Sequence, residues 1–163
     1  ILFPVFTDQN ELVGFTGRAV KERVDPRVRD YHGLQKRQCL LGIHLIKQED
    51  PYIVIVEGLF DYAYMVQNDY PAVATMFAGL TSQQKAILIS IGKPVILMYD
   101  NDLAGQDATD GAVKALRKYL PLRKVSYPSR ARAGSRRRDP PPKDPATCTP
   151  EELDTMISTA KIV

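Results

Sequence analysis

The sequence predicts an α/β fold in which a mainly parallel, four-stranded sheet is flanked by helices. Two apolar runs, at residues 52–56 and 94–99, are typical of strands that are covered on both faces of a parallel sheet. Each run ends at acidic residues, after which apolar residues recur at helical spacing. From Pro51 onward strands and helices alternate, and this alternation indicates βαβ units.

A β-hairpin is predicted ahead of this sheet. Two alternating apolar runs within residues 1 to about 20 flank a turn at residues 7–10. Residues 21–50 then combine a basic, proline-interrupted loop with a short amphipathic stretch at residues 38–48. We therefore predict an accessory subdomain of hairpin and basic loop at residues 1–50, followed by a sheet-forming domain at residues 51–127.

Helices are expected between the strands of the sheet. The second helix should begin at Thr81, because Thr81 and Gln84 have the spacing of a capping box, and it should end near Gly92. The other elements predicted for this domain are a first helix at residues 59–68, a third helix at about 104–120 and a last strand at residues 122–127.

The composition changes after Tyr127. Residues 128–138 contain five arginines but no acid and no large apolar residue. Such a stretch cannot build a core, so residues 128–148 are predicted to be a basic, proline-rich loop or linker. Its arginines either contact nucleic-acid phosphates or solubilise the chain. Residues 149–163 are predicted to form a terminal helix that Thr149 caps.

Acidic residues follow both of the strongly apolar strands. Glu57 comes directly after the first strand and Asp61 lies four residues later, whereas Asp100 and Asp102 follow the other strand. Because ligands of open α/β sheets bind beyond the carboxyl ends of the strands, these four carboxylates should face one crevice. Their repulsion would raise pKa values or be relieved by cations, and oxygen ligands favour Mg²⁺ or Mn²⁺. Ordinary surface acids in βα loops are the alternative interpretation.

The order of these motifs resembles the TOPRIM domain of bacterial and phage DnaG-type primases. Glu-Gly-x-x-Asp after one strand and Tyr-Asp-x-Asp-x-Ala-Gly after another carry the resemblance, which includes the hairpin and extends to about Tyr127. It implies a Rossmann-like TOPRIM fold in which Glu57, Asp100 and Asp102 bind metal and Asp61 supports them. These four acids are the catalytic residues that the resemblance implies.

A third acidic motif matches the family in part. Primases of this type carry Asp-Pro-Asp, whereas this chain has Asp144, Pro145 and Ala146. The resemblance therefore implies that Asp144 is a further metal ligand and that one aspartate of the motif is replaced by Ala146.

The resemblance also implies basic residues that bind the nucleotide or the template. The matching positions in the accessory subdomain are Arg18, Arg27 and Lys36. For these residues, ordinary exposed surface charge is the other interpretation. In the basic segment after the last strand, the candidate nucleic-acid-binding residues are Arg136, Arg137 and Arg138.

The function that the resemblance implies is that of a DNA primase catalytic core, which joins ribonucleotides on single-stranded DNA by metal-dependent nucleotidyl transfer. The expected cofactor is Mg²⁺ or Mn²⁺. The expected partners are a single-stranded DNA template, ribonucleoside triphosphates and, through domains outside this chain, a replicative helicase. A TOPRIM-type metal-dependent nuclease and a non-catalytic replication module that binds single-stranded DNA are the alternatives. The expected location is the cytoplasm of a bacterial cell, at the nucleoid, or of a phage-infected cell.

Composition and charge limit the partners and cofactors that we expect for this chain. The net charge of +3 is mild, so any nucleic-acid footprint should be local. Cys39 and Cys148 lack Cys-x-x-Cys spacing, and we expect no disulfide and no zinc site in this chain. No apolar run is long enough to cross a bilayer, so no membrane partner is expected. Because the chain begins with Ile1, we expect a fragment of a longer polypeptide.

Overall fold

The computed structural model describes residues 1–21, 23–129 and 142–163, and these residues form two sheets. The first sheet is antiparallel with the strand order β1-β2-β3. It consists of β1 (Leu2–Phe6), β2 (Leu12–Arg18) and β3 (Val28–Asp30). The predicted hairpin is the pair β1 and β2, to which β3 adds a third strand.

The second sheet has five strands in the order β5-β4-β6-β7-β8. Its strands are β4 (Ile53–Val56), β5 (Ala72–Ala74), β6 (Val95–Leu97), β7 (Leu122–Lys124) and β8 (Lys161–Ile162). The first four strands in this order pair in parallel, and β8 is antiparallel to β7. The predicted α/β class with a mainly parallel sheet and a preceding hairpin is therefore confirmed. The sheet has five strands instead of the predicted four, because the terminal helix predicted at residues 149–163 ends at Ser158 and the chain after it pairs with β7 as β8.

Helices cover both faces of this parallel sheet. They are α1 (Leu59–Gln67), α2 (Ser82–Ile91), α3 (Leu103–Leu116) and α4 (Pro150–Ser158), and three single-turn 3₁₀ helices lie at Lys36–Gln38, Ile43–Leu45 and Pro145–Thr147. Side chains of α1 and α4 share one buried cluster with Val54 and Val56, whereas α2 and α3 share another with Ile53 and Ile55. Alternate side chains of β4 thus belong to two buried clusters, one on each face of the sheet, which explains why the strand is apolar throughout.

The accessory segment is attached to the parallel sheet. Phe3 and Val5 of the hairpin belong to the buried cluster that contains α1 and α4. Leu41 exchanges two backbone hydrogen bonds of 3.0 Å with Ala74. These bonds cover the outer edge of β5, and they leave the residues that follow β5 next to the accessory segment.

Two predicted helix caps are present. The Thr81 hydroxyl accepts a hydrogen bond from the Gln84 amide, and the Gln84 side chain accepts one from the Thr81 amide, both at 3.2 Å. Gly92 ends α2 with a left-handed φ of 72°, which glycine adopts without strain. Thr149 and Glu152 form the same reciprocal cap at the start of α4.

Some element bounds differ from the predictions. Helix α3 ends at Leu116 instead of near Leu120, because the chain closes into a turn there before Pro121. Strand β7 ends at Lys124. The stretch predicted to be amphipathic, residues 38–48, contains the 3₁₀ turn at Ile43–Leu45. Strands β3 and β8 are short and consist of exposed residues, so they lack the apolar alternation that would have predicted them.

The topology places a crevice between β4 and β6. From β4 the chain moves to β5 on one side, and it then returns past β4 to β6 and β7 on the other side. The order of the strands reverses at this point, and the carboxyl ends of β4 and β6 flank it. Within the described residues, no helix is both long and apolar enough to span a membrane.

Candidate active site at the carboxyl edge of the parallel sheet

The turn after β4 carries Glu57 and Asp61. Gly58 is the N-cap of α1 in an extended conformation, and Asp61 lies in the first turn of the helix, where the helix dipole favours an anion. Asp61 is buried, with 8% of its surface exposed. Its Oδ1 accepts a hydrogen bond of 3.2 Å from the Ala146 amide. The Gly58 position leaves room for this carboxylate, because an added Cβ would clash with Asp61 Oδ2.

The turn after β6 carries Asp100 and Asp102. Asp102 is the N-cap of α3, and its Oδ1 accepts a 2.8 Å hydrogen bond from the Gly105 amide. Asp100 has a different environment, since its Oδ1 is buried without a hydrogen-bond partner among the described residues. Gly105 lies so close to the Asp100 backbone that an added Cβ would overlap the Asp100 carbonyl group. The close approach of α3 to this turn therefore requires glycine.

The segment that follows the basic loop brings Asp144 to the same edge. Asp144 caps the 3₁₀ turn at Pro145–Thr147 by accepting a 2.9 Å hydrogen bond from the Thr147 amide. The Tyr64 hydroxyl of α1 donates to the Cys148 carbonyl at 2.8 Å, which fixes the far end of this turn. Asp144 consequently lies near enough to Asp61 and Asp100 to raise the pKa of both.

The carboxylates disfavour one another's ionisation. Burial, followed by the charges of Asp61, Glu57, Asp144 and Asp102, raises the pKa of Asp100 to about 7. Burial and then the charges of Asp102 and Asp61 raise the pKa of Glu57. For Asp61, burial and the charge of Asp144 raise the pKa, although backbone hydrogen bonds oppose this effect. The structure thus brings together all five acids that the sequence analysis selected.

A divalent cation fits this donor set. In the described part of the chain no lysine or arginine forms an ion pair with these acids, and the buried Asp100 oxygen lacks a donor. No group of three or more His, Cys, Asp and Glu side chains among the described residues is arranged to hold a metal ion by itself. Mg²⁺ commonly uses one or two protein carboxylates and takes its other ligands from water and substrate phosphates. The site therefore fits a cation that a phosphate-bearing substrate completes.

The predicted basic residues have separate locations. The guanidinium group of Arg18 lies 4.7 Å from the centre of the Phe60 ring, next to Asp61 in the chain, and its Nε is buried without a partner among the described residues. Arg27 is exposed, and Lys36 forms an ion pair of 2.8 Å with Asp30. Arg136, Arg137 and Arg138 lie outside the described residues.

Some residues at this edge were not identified from the sequence. Tyr127 donates a 3.0 Å hydrogen bond to the carbonyl group of Tyr99, which precedes Asp100. Asn101 bonds to the segment that carries Asp144. Both also line a polar cavity of about 450 Å³ next to Asp100, together with Lys124. Asn101 lies inside the acidic motif and was available as a signal, whereas nothing local marks Tyr127.

A larger cavity, of about 760 Å³, opens between α3 and the loop that follows β5. Arg37 and Phe77 line it, with the guanidinium group 5.2 Å from the centre of the ring. None of the five acids lines this cavity. The carboxylate cluster and its adjoining polar cavity are therefore the better candidate site.

Comparisons with known proteins agree with the geometry. Residues 54–132 match the Toprim-like family. The DNA primase of Helicobacter pylori is 29% identical over 124 residues, which cover 72% of this chain and 22% of that protein. The DNA primase of Haemophilus influenzae is 31% identical over 131 residues, which cover 74% of this chain and 21% of that protein. The chain thus spans about a fifth of the length of these relatives.

Solved structures share the fold. The zinc-binding and RNA polymerase domains of Aquifex aeolicus primase align with a TM-score of 0.76 and 24% identity, covering 99% of this chain and 40% of that chain. A DnaG primase catalytic domain bound to single-stranded DNA aligns with a TM-score of 0.75 and 22% identity, covering 99% of this chain and 51% of that chain. The chain therefore has the fold of these structures, and its residues 54–132 form a Toprim-like domain that is similar in sequence to the corresponding part of DNA primases.

Proposed function

We propose that this chain contributes the catalytic centre of a DNA primase, which joins ribonucleotides on a single-stranded DNA template. One observation carries the proposal: carboxylates from two strand ends and a third segment converge, Asp61 among them is buried, and Asp100 has a buried oxygen without a hydrogen-bond donor in the described residues. Such a cluster costs stability, and sites of this kind are typically functional. We further propose that this reaction takes place in the cytoplasm of a bacterial or phage-infected cell.

In the reaction, the 3′-hydroxyl oxygen of a primer forms a bond to the α-phosphorus of a ribonucleoside triphosphate. The bond from that phosphorus to the bridging oxygen breaks, pyrophosphate leaves, and the hydroxyl proton passes to solvent. Asp100 and Asp102, with Glu57, would hold Mg²⁺ or Mn²⁺. The cation supplies charge neutralisation for the triphosphate and for the attacking and leaving oxygens.

The other residues of the edge support binding and orientation. Asp61, whose carboxylate accepts a hydrogen bond from the Ala146 amide, adds negative charge next to Asp100, and Asp144 does the same. Arg18, held on the Phe60 ring, is a candidate contact for the triphosphate, and Arg27 and Lys36 are candidate contacts for the template. Since positioning and electrostatics dominate phosphoryl transfer, little acid–base chemistry is required of the protein.

A primer-extension gel tests the proposal. An end-labelled RNA primer on a DNA template is incubated with ribonucleotides and Mg²⁺ or Mn²⁺ and with the wild-type chain, Asp100→Asn or Glu57→Gln. The matched controls are Asp69→Asn and Glu49→Gln, because both acids are exposed at the opposite edge of the sheet. We expect extension by the wild-type chain and the controls, and a loss of about 100-fold or more in both site variants.

Two results would contradict this proposal. A shortened primer would indicate a nuclease in place of a polymerase. A primer that the wild-type chain leaves unchanged would show that this chain does not perform the transfer, and salt-dependent DNA binding without metal dependence would then indicate a binding module.

A further inference from the structure

Hydrogen bonds from outside the acidic motifs hold the turn between Asp100 and Asp102. The Asn101 amide donates to the Lys143 carbonyl at 2.6 Å, and Asn101 Nδ2 donates to the Pro142 carbonyl at 3.0 Å. On the preceding residue, the Tyr99 carbonyl accepts the 3.0 Å hydrogen bond from Tyr127. The backbone is therefore tied down immediately before and immediately after Asp100.

These bonds act against a repulsive force. The turn after β4, the N-cap of α3 and the N-cap of the 3₁₀ turn at Pro145–Thr147 place other acids at the same edge as Asp100, and like charges repel one another, so movement of the Asp100 backbone away from the edge would relieve repulsion. Movement toward α3 is blocked, because Gly105 is already packed against the Asp100 backbone. The hydrogen bonds of Asn101 and Tyr127 add restraints to the residues on either side of Asp100.

We propose that Asn101 and Tyr127 are positioning residues, which hold the Asp100 carboxylate at the crevice so that it can bind a divalent cation. The inference rests on the proposed function of the acidic cluster. The Asn101 side-chain amide and the Tyr127 hydroxyl each donate to a backbone carbonyl. We therefore expect them to affect cation binding through the position of Asp100. Residues that orient metal ligands in this way typically change metal affinity by about 10- to 100-fold when they are removed.

The test compares two double variants of the whole chain. Asn101→Ala with Tyr127→Phe removes the side-chain amide donor of Asn101 and the hydroxyl donor of Tyr127. It leaves all five acids in place. Asn68→Ala with Tyr70→Phe is the matched control: Asn68 Nδ2 donates to the Tyr64 carbonyl at 2.8 Å, and the Tyr70 hydroxyl donates to Asp154. Binding of Mn²⁺ alone is measured by electron paramagnetic resonance, and the thermal unfolding midpoint is measured in a chelator.

We expect Mn²⁺ affinity to fall by about 10- to 100-fold in the Asn101/Tyr127 variant, while the control variant keeps the wild-type affinity. The unfolding midpoints of the two double variants in chelator should be similar, which separates positioning from a general loss of stability. If the Asn101/Tyr127 variant does not fold, each single variant is measured in its place, and each should show part of the loss.

The Asp100→Asn variant in the same titration separates two kinds of failure. Wild-type Mn²⁺ affinity in the Asn101/Tyr127 variant, with binding lost in Asp100→Asn, would overturn the positioning role and leave the cation site intact. Mn²⁺ affinity that is unchanged in Asp100→Asn as well would overturn both the positioning role and the cation site proposed for this edge.

Discussion

Acidic residues have different environments at the two edges of the parallel sheet. At the amino edge, Asp50 accepts a 2.7 Å hydrogen bond from the Lys47 amide, and Asp69 is exposed just before β5. At the carboxyl edge, Asp61 is buried, and Asp100 is surrounded by other carboxylates. The fold therefore keeps these acids apart at the amino edge and concentrates acids at the carboxyl edge. A concentration of this kind opposes stability, and it is the reason why we propose the carboxyl edge as the functional one.

The residues that flank the strands also differ between the two edges. A cavity of about 340 Å³ at the amino edge is lined by Pro51, Pro94 and Pro121, which precede β4, β6 and β7. At the carboxyl edge, Glu57 follows β4 directly and Asp100 lies in the turn between β6 and α3. Proline restricts the backbone where the strands begin, whereas acids lie in the turns after β4 and β6. Changes at the two edges should thus have different consequences.

The largest effect on stability is expected where α3 meets the carboxyl edge. Gly105→Ala places a Cβ on the Asp100 carbonyl group, and we expect a loss of about 3 kcal/mol in the free energy of unfolding. Gly111→Ala is the matched control in the same helix, because an added Cβ there meets no atom within 4 Å. It should stabilise the chain by up to about 1 kcal/mol through helix propensity. Urea titrations measure both changes, and equal effects of the two substitutions would contradict the close approach at Gly105.

A smaller effect of opposite sign is expected for the acid itself. In a chelator at pH 8, Asp100→Asn should raise the free energy of unfolding by about 1 kcal/mol, a figure reduced for solvent screening, because it removes a charge that burial and then the neighbouring carboxylates disfavour. Asp69→Asn should change it by less than about 0.5 kcal/mol, since Asp69 is exposed and asparagine tolerates its left-handed φ of 62°. Destabilisation by Asp100→Asn would contradict the conclusion that burial and the neighbouring carboxylates disfavour the Asp100 charge.

The pH dependence of stability should differ between the same two variants. The folded chain holds the Asp100 proton up to a pKa of about 7, compared with an ordinary value of 3.8. Between these values the unfolded state has lost a proton that the folded state retains, so this group lowers the free energy of unfolding as the pH rises. In a chelator, the wild type and Asp69→Asn should share this decrease, and Asp100→Asn should show a smaller one. Parallel profiles for all three proteins would contradict the raised pKa.

Local sequence patterns predicted the fold because they depend on neighbouring residues. The β-branched run of β4 is buried on both faces, the predicted capping pair Thr81 and Gln84 are three residues apart, and Thr149 caps α4 as predicted. Short exposed strands such as β3 and β8 carry no comparable signal, because their pairing depends on tertiary position.

The sequence predicted which acids lie at the site, but it did not predict the different hydrogen bonding of each acid. Asp100 and Asp102 are two residues apart in one motif, yet Asp102 caps a helix and Asp100 has a buried oxygen without a donor in the described residues. This distinction depends on how α3 packs against the turn. The bonds from Tyr127 to Tyr99 and from Ala146 to Asp61 join residues 28 and 85 positions apart, and no spacing rule reaches that far.

The most direct test of the functional edge is the free energy of unfolding of the wild type and of Asp100→Asn, measured with and without saturating Mg²⁺. In a chelator, Asp100→Asn should be the more stable protein. At a Mg²⁺ concentration 100 times the dissociation constant, the wild type should gain about 2.7 kcal/mol while Asp100→Asn gains little, so that the order of stability reverses. Equal gains from Mg²⁺ in the two proteins would contradict the account, because the cation would then bind without Asp100.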